Sequence, residues 1–148
     1  MQRLKTRPQF QAALAGPTVA RTAHFALHQL LLSPEGSQDC MSATHAGIAH
    51  ERSAIDQGLF AGPAQAWLGA MTPKRWARRA VTRNAIRRQV YAFGVDFAGQ
   101  LPCAAHVVRL RAGFDRQRFP SAWSQPLRQL VRAELLELFE RALRKASP

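Results

Sequence analysis

The chain of 148 residues carries 21 Lys and Arg against nine Asp and Glu, a formal net charge of +12 at pH 7. Its length suits one domain with its own core, and its 47% hydrophobic content argues against a wholly disordered chain. The charge favours an anionic partner, with nucleic acid ranked before an acidic membrane surface.

The first predicted elements are a short helix and a strand. Within residues 6–16, TRPQFQAALAG, Pro8 suits the first helical turn and Gly16 suits a stop. Residues 22–32, TAHFALHQLLL, are apolar and of strand length. Residues 33–65 are rich in Gly, Ser, Ala, Asp and His without a period of 2 or 3.6, which predicts a flexible loop insertion.

The middle of the chain predicts strand, helix and strand. Residues 65–72 form a short predicted strand that ends before proline, which cannot donate to a ladder. Residues 78–93 predict a helix, and Gly94 is its natural stop. Residues 103–113 predict a strand on which Val107, Arg109 and Arg111 share one face.

The last predicted element is a helix over residues 124–145, SQPLRQLVRAELLELFERALRK. Ser124 can cap it, and Pro126 fits its first turn. Its predicted buried stripe consists of Leu127, Val131, Leu135, Leu138 and Ala142. The order helix, strands, helix, strand, helix predicts an α+β fold, a small single-domain two-layer sandwich of helices on a sheet.

A basic block dominates the sequence. Residues 73–88 contain seven Lys and Arg and no acid, and six of the seven are Arg. Like charges repel one another, so such a block indicates an anionic partner. Guanidinium groups bind phosphate oxygens in bidentate fashion and stack on bases. A solvated charged face is the alternative, but such faces usually mix charge signs. We therefore predict that this segment contacts nucleic acid.

The sequence ARRAVTRNAIRR, residues 77–88, resembles the signature of the bacterial ribonuclease P protein component. That family carries an Arg-Asn-Arg-x-Lys-Arg core on a helix, preceded by a Lys-Lys or Lys-Arg pair at a strand end. The matching residues are Arg83, Asn84, Arg87 and Arg88, with Lys74 and Arg75 as the pair. Ala85 stands where a basic residue is usual, Tyr91 where Lys or Arg is usual, and Leu14 where many members have a second Phe.

The resemblance implies a ribosomal-S5-domain-2-like fold with a left-handed β-α-β crossover, against the usual right-handed rule. It implies that residues 1–148 form one RNA-binding domain. It also implies that the chain is the protein subunit of an endoribonuclease, and that its partners are a catalytic RNA and precursor tRNA. The catalytic centre is then expected in the RNA, with Mg²⁺ held mainly there and no catalytic or metal-binding residue in the protein. The implied RNA-binding residues are Lys74, Arg75, Arg78, Arg79, Arg83, Asn84, Arg87 and Arg88. The implied binders of the tRNA 5′ leader are Phe10, Arg109 and Arg111, and core packing is the alternative for Phe10.

Other functions stay open at this point. A ribosomal protein or general RNA chaperone without an enzymatic role would explain the same charge. A peripheral membrane protein is a weaker alternative, because the basic helix lacks a broad apolar face. The nearby residues Cys40, His45, His50 and Glu51 match no common zinc pattern.

The two cysteines, Cys40 and Cys103, lie far apart, as is typical of a reduced cytosolic protein. The most apolar run, residues 24–32, is too short to span a membrane. We expect a cytoplasmic protein without a membrane partner or an obligate protein partner.

Overall fold

The computed structural model of the chain describes residues 1–32, residue 60 and residues 66–146. Over these ranges the fold is α+β, with three helices and one mixed five-stranded sheet. In chain order the elements are β1 (Gln2–Arg3), α1 (Arg7–Ala15), β2 (Thr18–Arg21), β3 (Phe25–Leu31), β4 (Trp67–Met71), α2 (Ala80–Phe97), β5 (Ala104–Leu110) and α3 (Gln125–Ala146).

The sheet places its strands in the order β1-β4-β5-β3-β2. Strand β4 runs parallel to both β1 and β5, whereas β3 is antiparallel to β5 and β2. Parallel neighbours need a crossover connection, and here α2 joins β4 to β5. The handedness of this β4-α2-β5 crossover stays a prediction.

Helices cover both faces of the sheet. Helices α2 and α3 pack with the core that includes Val108 and Leu110 of β5, whereas α1 packs with the core that includes Ala105 and Val107. Successive strand residues point to opposite faces, so these two cores lie on opposite sides of β5. The predicted α+β fold is confirmed, and α1 adds a partial third layer to the predicted two. The physical reason is that β3 and β5 are buried almost continuously, so both of their faces need cover.

The helix boundaries at α1 and α3 follow their capping signals. The Thr6 hydroxyl accepts from the backbone N–H of Gln9, the Gln9 side chain accepts from the backbone N–H of Thr6, and Gly16 ends the helix. At α3 the Ser124 hydroxyl accepts from the backbone N–H of Leu127 at 3.3 Å. The predicted stripe of α3 is buried along its whole length, and Phe139 joins it.

Two boundary predictions are wrong. The predicted strand at residues 22–32 is β3 alone, because residues 22–24 form the turn from β2, where the backbone N–H of Thr22 donates to the Phe25 carbonyl at 2.8 Å. Gly94 does not stop α2, which continues to Phe97. A Cβ at Gly94 would lie 2.3 Å from Cδ2 of Leu68, so this glycine lets the helix approach β4.

The predicted loop insertion at residues 33–65 lies outside the described residues except for Phe60. The Phe60 side chain is buried, and its ring meets Trp67 edge-on with 5.4 Å between centroids. Within the described ranges, no helix is both long and apolar enough to cross a membrane.

Candidate nucleic-acid interface

The basic segment begins in the turn after β4 and continues into α2. The backbone N–H groups of Trp76 and Ala77 both donate to the Pro73 carbonyl at 3.1 Å, which bends the chain toward the helix. Helix α2 begins without a side-chain cap and without an acid in its first turn. Its positive end therefore adds to the arginine charge rather than being neutralised.

The predicted RNA-binding residues lie mostly on the surface. Exposed among them are Lys74, Arg75, Arg78, Arg79, Asn84, Arg87 and Arg88. Helix α2 is anchored by the buried residues Thr82, Ile86, Val90 and Gly94, so the basic residues point away from the core. Arg83 differs from the rest because it is half-buried.

Two of these arginines are tied to backbone carbonyls. Arg83 Nη1 donates to the carbonyls of Ala77 at 3.0 Å and Arg78 at 2.7 Å, which braces the turn that precedes α2. Arg79 Nη1 donates to the Pro120 carbonyl at 3.1 Å.

Four other cations of the segment have no polar partner among the described residues. Within the described part of the chain, no hydrogen bond or ion pair engages the charged groups of Lys74, Arg78, Arg87 or Arg88. The Arg75 guanidinium lies over the ring of Trp76, 5.0 Å from its centroid.

A groove of about 300 Å³ opens between α1 and the end of β4. This α1 groove is lined by Arg7, Phe10, Ala70, Met71, Thr72, Pro73 and Arg87. The Phe10 ring rests on Gly69, where a Cβ would lie 2.6 Å from Phe10 Cε1. Phe10 is half-buried, so it both packs on the sheet and lines the groove. The groove therefore combines one aromatic ring with two arginines.

Arg109 lies beside this groove without lining it. On the sheet face that α1 covers, it stands between Met71 of β4 and Ala26 of β3. Its Nε is buried and lacks a hydrogen-bond partner within the described residues. Nε2 of His28 is likewise buried without a hydrogen-bond partner among the described residues. Burial is the main cause that lowers the pKa of His28, and the nearby positive charge of Arg109 lowers it further.

Arg111 is not part of the α1 groove. It follows the end of β5, and its Nη1 donates to the carbonyl of Thr22 at 2.9 Å. Its backbone N–H donates to the carbonyl of His24 at 2.8 Å. The structure thus shows Arg111 bracing the β2–β3 turn.

Two features of the surface, Arg7 and a second cavity, have no marked signal in the sequence. Arg7 lines the α1 groove, and its only signal was its position three residues before Phe10. The second cavity, of about 310 Å³, lies between the turn before α2 and the loop after β5. This Trp76 pocket is lined by Trp76, Ala77, Arg78, Arg79, Thr82, Phe114, Arg116, Phe119, Pro120, Ser121, Ala122 and Leu127. Its loop residues have no periodic pattern, so sequence could not bring them together.

Three of the described carboxylates are engaged by neighbouring residues. Glu134 accepts from the backbone N–H of His24 at 2.9 Å, and its other oxygen lies 2.7 Å from His24 Nδ1. Glu137 pairs with Arg141, and Glu140 lies near Arg144. No three His, Cys, Asp or Glu side chains come together in the ranges that the structure describes. The set Cys40, His45, His50 and Glu51 lies outside those ranges.

Comparison with known proteins gives a consistent set of relatives. Residues 1–142 match the family model described as Ribonuclease P. The chain is 41% identical over 84 residues to the ribonuclease P protein component of Burkholderia pseudomallei, over 54% of this chain and 59% of that one. It is 38% identical over 87 residues to the one from Paraburkholderia xenovorans, over 56% and 60% of the two chains. The chain thus spans about three fifths of the length of the curated relatives it matches.

Solved structures share the fold. The Staphylococcus aureus RNase P protein superposes with a TM-score of 0.59 at 16% identity, over 96% of this chain and 95% of that one. A mutant of that protein, described as defective in mRNA degradation activity, gives a TM-score of 0.57 at 15% identity, over 95% and 86%.

Proposed function

Because this chain belongs to the Ribonuclease P family, we propose that it is the protein subunit of ribonuclease P. In this role it binds the catalytic RNA and the 5′ leader of precursor tRNA, and it assists the endonucleolytic removal of that leader. The observation that carries the proposal is the run of arginines, without an acid, in the first half of α2 directly beside the α1 groove. A ribosomal protein or general RNA chaperone is not favoured, because the family match covers nearly the whole chain.

The exposed cations of the basic segment would hold the catalytic RNA. Lys74, Arg78 and Arg88 have charged groups without partners in the described part of the chain, so phosphate contacts cost no existing ion pair. Each such contact releases condensed counterions from the RNA, which makes the affinity strongly dependent on salt. Neutralising phosphates in this way also reduces repulsion between catalytic RNA and tRNA.

The α1 groove would hold the single-stranded leader. Phe10 offers a ring for a base, while Arg7 and Arg87 lie in the same groove for the flanking phosphates. Stacking on an aromatic ring is tolerant of base identity because every base has a π-face. Such a grip suits leaders of differing sequence. Arg109, beside Met71, would extend this cationic surface along the sheet.

The chemistry would reside in the RNA. Mg²⁺ supplies Lewis-acid and nucleophile activation in phosphodiester cleavage, and the RNA would hold it. Since the described carboxylates are engaged or isolated, we assign this chain only binding and positioning of RNA.

Reconstitution tests the proposal. The purified protein alone should not cut precursor tRNA, whereas its addition to the cognate catalytic RNA should allow 5′ processing at Mg²⁺ concentrations where the RNA alone is weak. Arg87→Ala should weaken this effect without moving the cleavage position. Arg144→Ala, which removes an exposed charge from the end of α3, is the matched control. Cleavage by rigorously RNA-free protein, or no effect on the RNA-catalysed reaction, would contradict the proposal.

A further inference from the structure

The Trp76 pocket is a second candidate site, on a different side of α2 from the α1 groove. Thr82 borders the pocket and Arg87 borders the groove. Five residues of an α-helix correspond to a rotation of about 140°, so these two side chains diverge. The cavity volume of about 310 Å³ lies at the lower end of the roughly 300–1,000 Å³ typical of small-ligand sites.

The aromatic wall of the pocket is fixed by packing. Phe119 is buried and meets Phe114 edge-on, with 6.2 Å between ring centroids. Phe114 in turn stacks on the His24 ring at 4.5 Å, and His24 is held by Glu134. Because each ring rests on another, the wall does not need a ligand to hold its shape.

The rim of the pocket is fixed by hydrogen bonds across the chain. The Thr82 hydroxyl donates to the carbonyl of Ala122 at 2.5 Å, and Arg79 Nη1 donates to the carbonyl of Pro120. These two bonds join the start of α2 to the loop that follows β5. The cavity is therefore preformed rather than a chance gap between mobile segments.

The charge around the pocket is positive. Arg78 and Arg116 are exposed, and no hydrogen bond or ion pair within the described ranges engages either guanidinium. The nearest acid in sequence, Asp115, accepts from the backbone N–H of Gln117 at 2.9 Å. Trp76 lines the pocket and remains 36% exposed.

We propose that the Trp76 pocket binds one unpaired nucleobase of an RNA partner, with Arg78 and Arg116 on the neighbouring phosphates. Proteins recognise unstacked RNA bases by aromatic stacking and hold the adjoining backbone by positive charge. An aromatic cavity with two free guanidinium groups at its mouth provides both. The inference rests on the proposed function only in requiring that the partner is RNA.

The test uses the full chain and two fluorescently labelled RNAs of equal length, one intact and single-stranded, the other lacking all bases. Fluorescence anisotropy at constant salt gives the affinity for each. Trp76→Leu keeps an apolar side chain and the net charge, and it should weaken binding of the intact RNA by roughly 5- to 150-fold. It should leave binding of the abasic RNA unchanged.

A matched charge pair makes the test independent of how well Trp76→Leu folds. Arg116 lines the pocket. Arg118 is exposed on the same loop and does not line the pocket, although its guanidinium lies over the Phe119 ring, 5.2 Å from that ring's centroid. Both substitutions remove one charge. Arg116→Gln should weaken binding of the intact RNA several-fold more than Arg118→Gln.

Equal effects of the two arginine substitutions, or a Trp76→Leu protein that loses affinity equally for both RNAs, would overturn the pocket assignment. A wild-type protein that binds neither RNA would instead contradict the proposed function.

Discussion

Individual arginines of one sequence motif have different structural roles. The sequence predicts the same role for Arg83 and Arg87, as RNA-binding residues on one helix. In the structure Arg83 Nη1 is shared between two carbonyls of the preceding turn, whereas Arg87 borders the α1 groove. Charge-assisted hydrogen bonds to a fixed turn contribute to folding stability. An exposed arginine without such bonds makes no comparable contribution.

The pair Arg83→Ala and Arg87→Ala separates these roles. We expect Arg83→Ala to lower the free energy of unfolding by about 1 kcal/mol, because two carbonyls lose a donor at a partly exposed site. Arg87→Ala should leave stability unchanged and reduce the salt dependence of RNA binding by about one phosphate contact. Denaturant titration and anisotropy measure the two quantities. Equal stability losses in the two variants would contradict the assignment.

A buried histidine gives stability a defined dependence on pH. Burial lowers the pKa of His106 below 6.5, although hydrogen bonds to the backbone of Trp67 and Ala104 act in the opposite direction. The unfolded chain therefore takes up the proton first as the pH falls. The contribution of neutral His106 to the free energy of unfolding is fully present above pH 6.5. It is lost as the pH falls toward the pKa that His106 has in the folded state.

We expect the free energy of unfolding to decrease below pH 6.5, by at most about 1.4 kcal/mol per pH unit for this one group. His106→Gln should flatten the curve below pH 6.5, because an amide does not titrate there. His28, whose pKa is also lowered, contributes in the same direction and remains in the variant. An unchanged pH slope in His106→Gln would argue against this origin.

At the level of elements, sequence periodicity and capping signals predict α1, α2, β4, β5 and α3 well. Capping residues and apolar stripes are local, so the boundaries at Thr6 and Ser124 follow from neighbouring residues alone. The sequence does not predict β1 and β2, because they have only two and four residues and carry too short a pattern. Strand β1 pairs with the distant β4, and β2 pairs with the adjacent β3. The sequence predicts Phe10 as a candidate site residue, but Arg7 and the Trp76 pocket depend on tertiary contacts that no local pattern encodes.

Gly94 shows how tertiary packing overrides a local signal. Glycine within a helix usually costs about 1 kcal/mol relative to alanine. Gly94→Ala should nevertheless destabilise the protein by about 1–2 kcal/mol, because the added Cβ meets the fully buried Leu68 at 2.3 Å. Gly99→Ala, where no atom lies within 4 Å, is the matched control and should be neutral or slightly stabilising. Thermal unfolding of both variants decides the question, and a stabilised Gly94→Ala would refute tight packing of α2 on β4.

In the described part of the whole molecule, acids are distributed unevenly between the two long helices. Three of the five described acids, Glu134, Glu137 and Glu140, lie on α3, whereas the turn before α2 and the first half of α2 have none. The start of α2 is therefore purely cationic, whereas α3 mixes both signs of charge and carries internal ion pairs. In the proposed function, this difference would orient the protein on a polyanion and support rapid association.

The salt dependence of RNA binding should report this asymmetry. Arg87→Ala combined with Arg88→Ala should reduce the slope of log affinity against log salt by up to about two contacts. Arg141→Ala, which removes a charge already paired with Glu137 on α3, should change the slope little. An equal reduction in both proteins would indicate a diffuse attraction without a defined face.

The pairing of β1 with β4 has a consequence for the order in which the protein is made. Gln2 pairs with Trp67, and β3 pairs along its length with β5. Strands β1 and β3 therefore cannot complete their pairing until residues much later in the chain have been synthesised. Long-range strand pairing of this kind is slow compared with local helix formation. The arginines of α2 leave the ribosome before β5, the central strand of their supporting sheet. A nascent chain thus presents its positive charge before the sheet that supports α2 is complete.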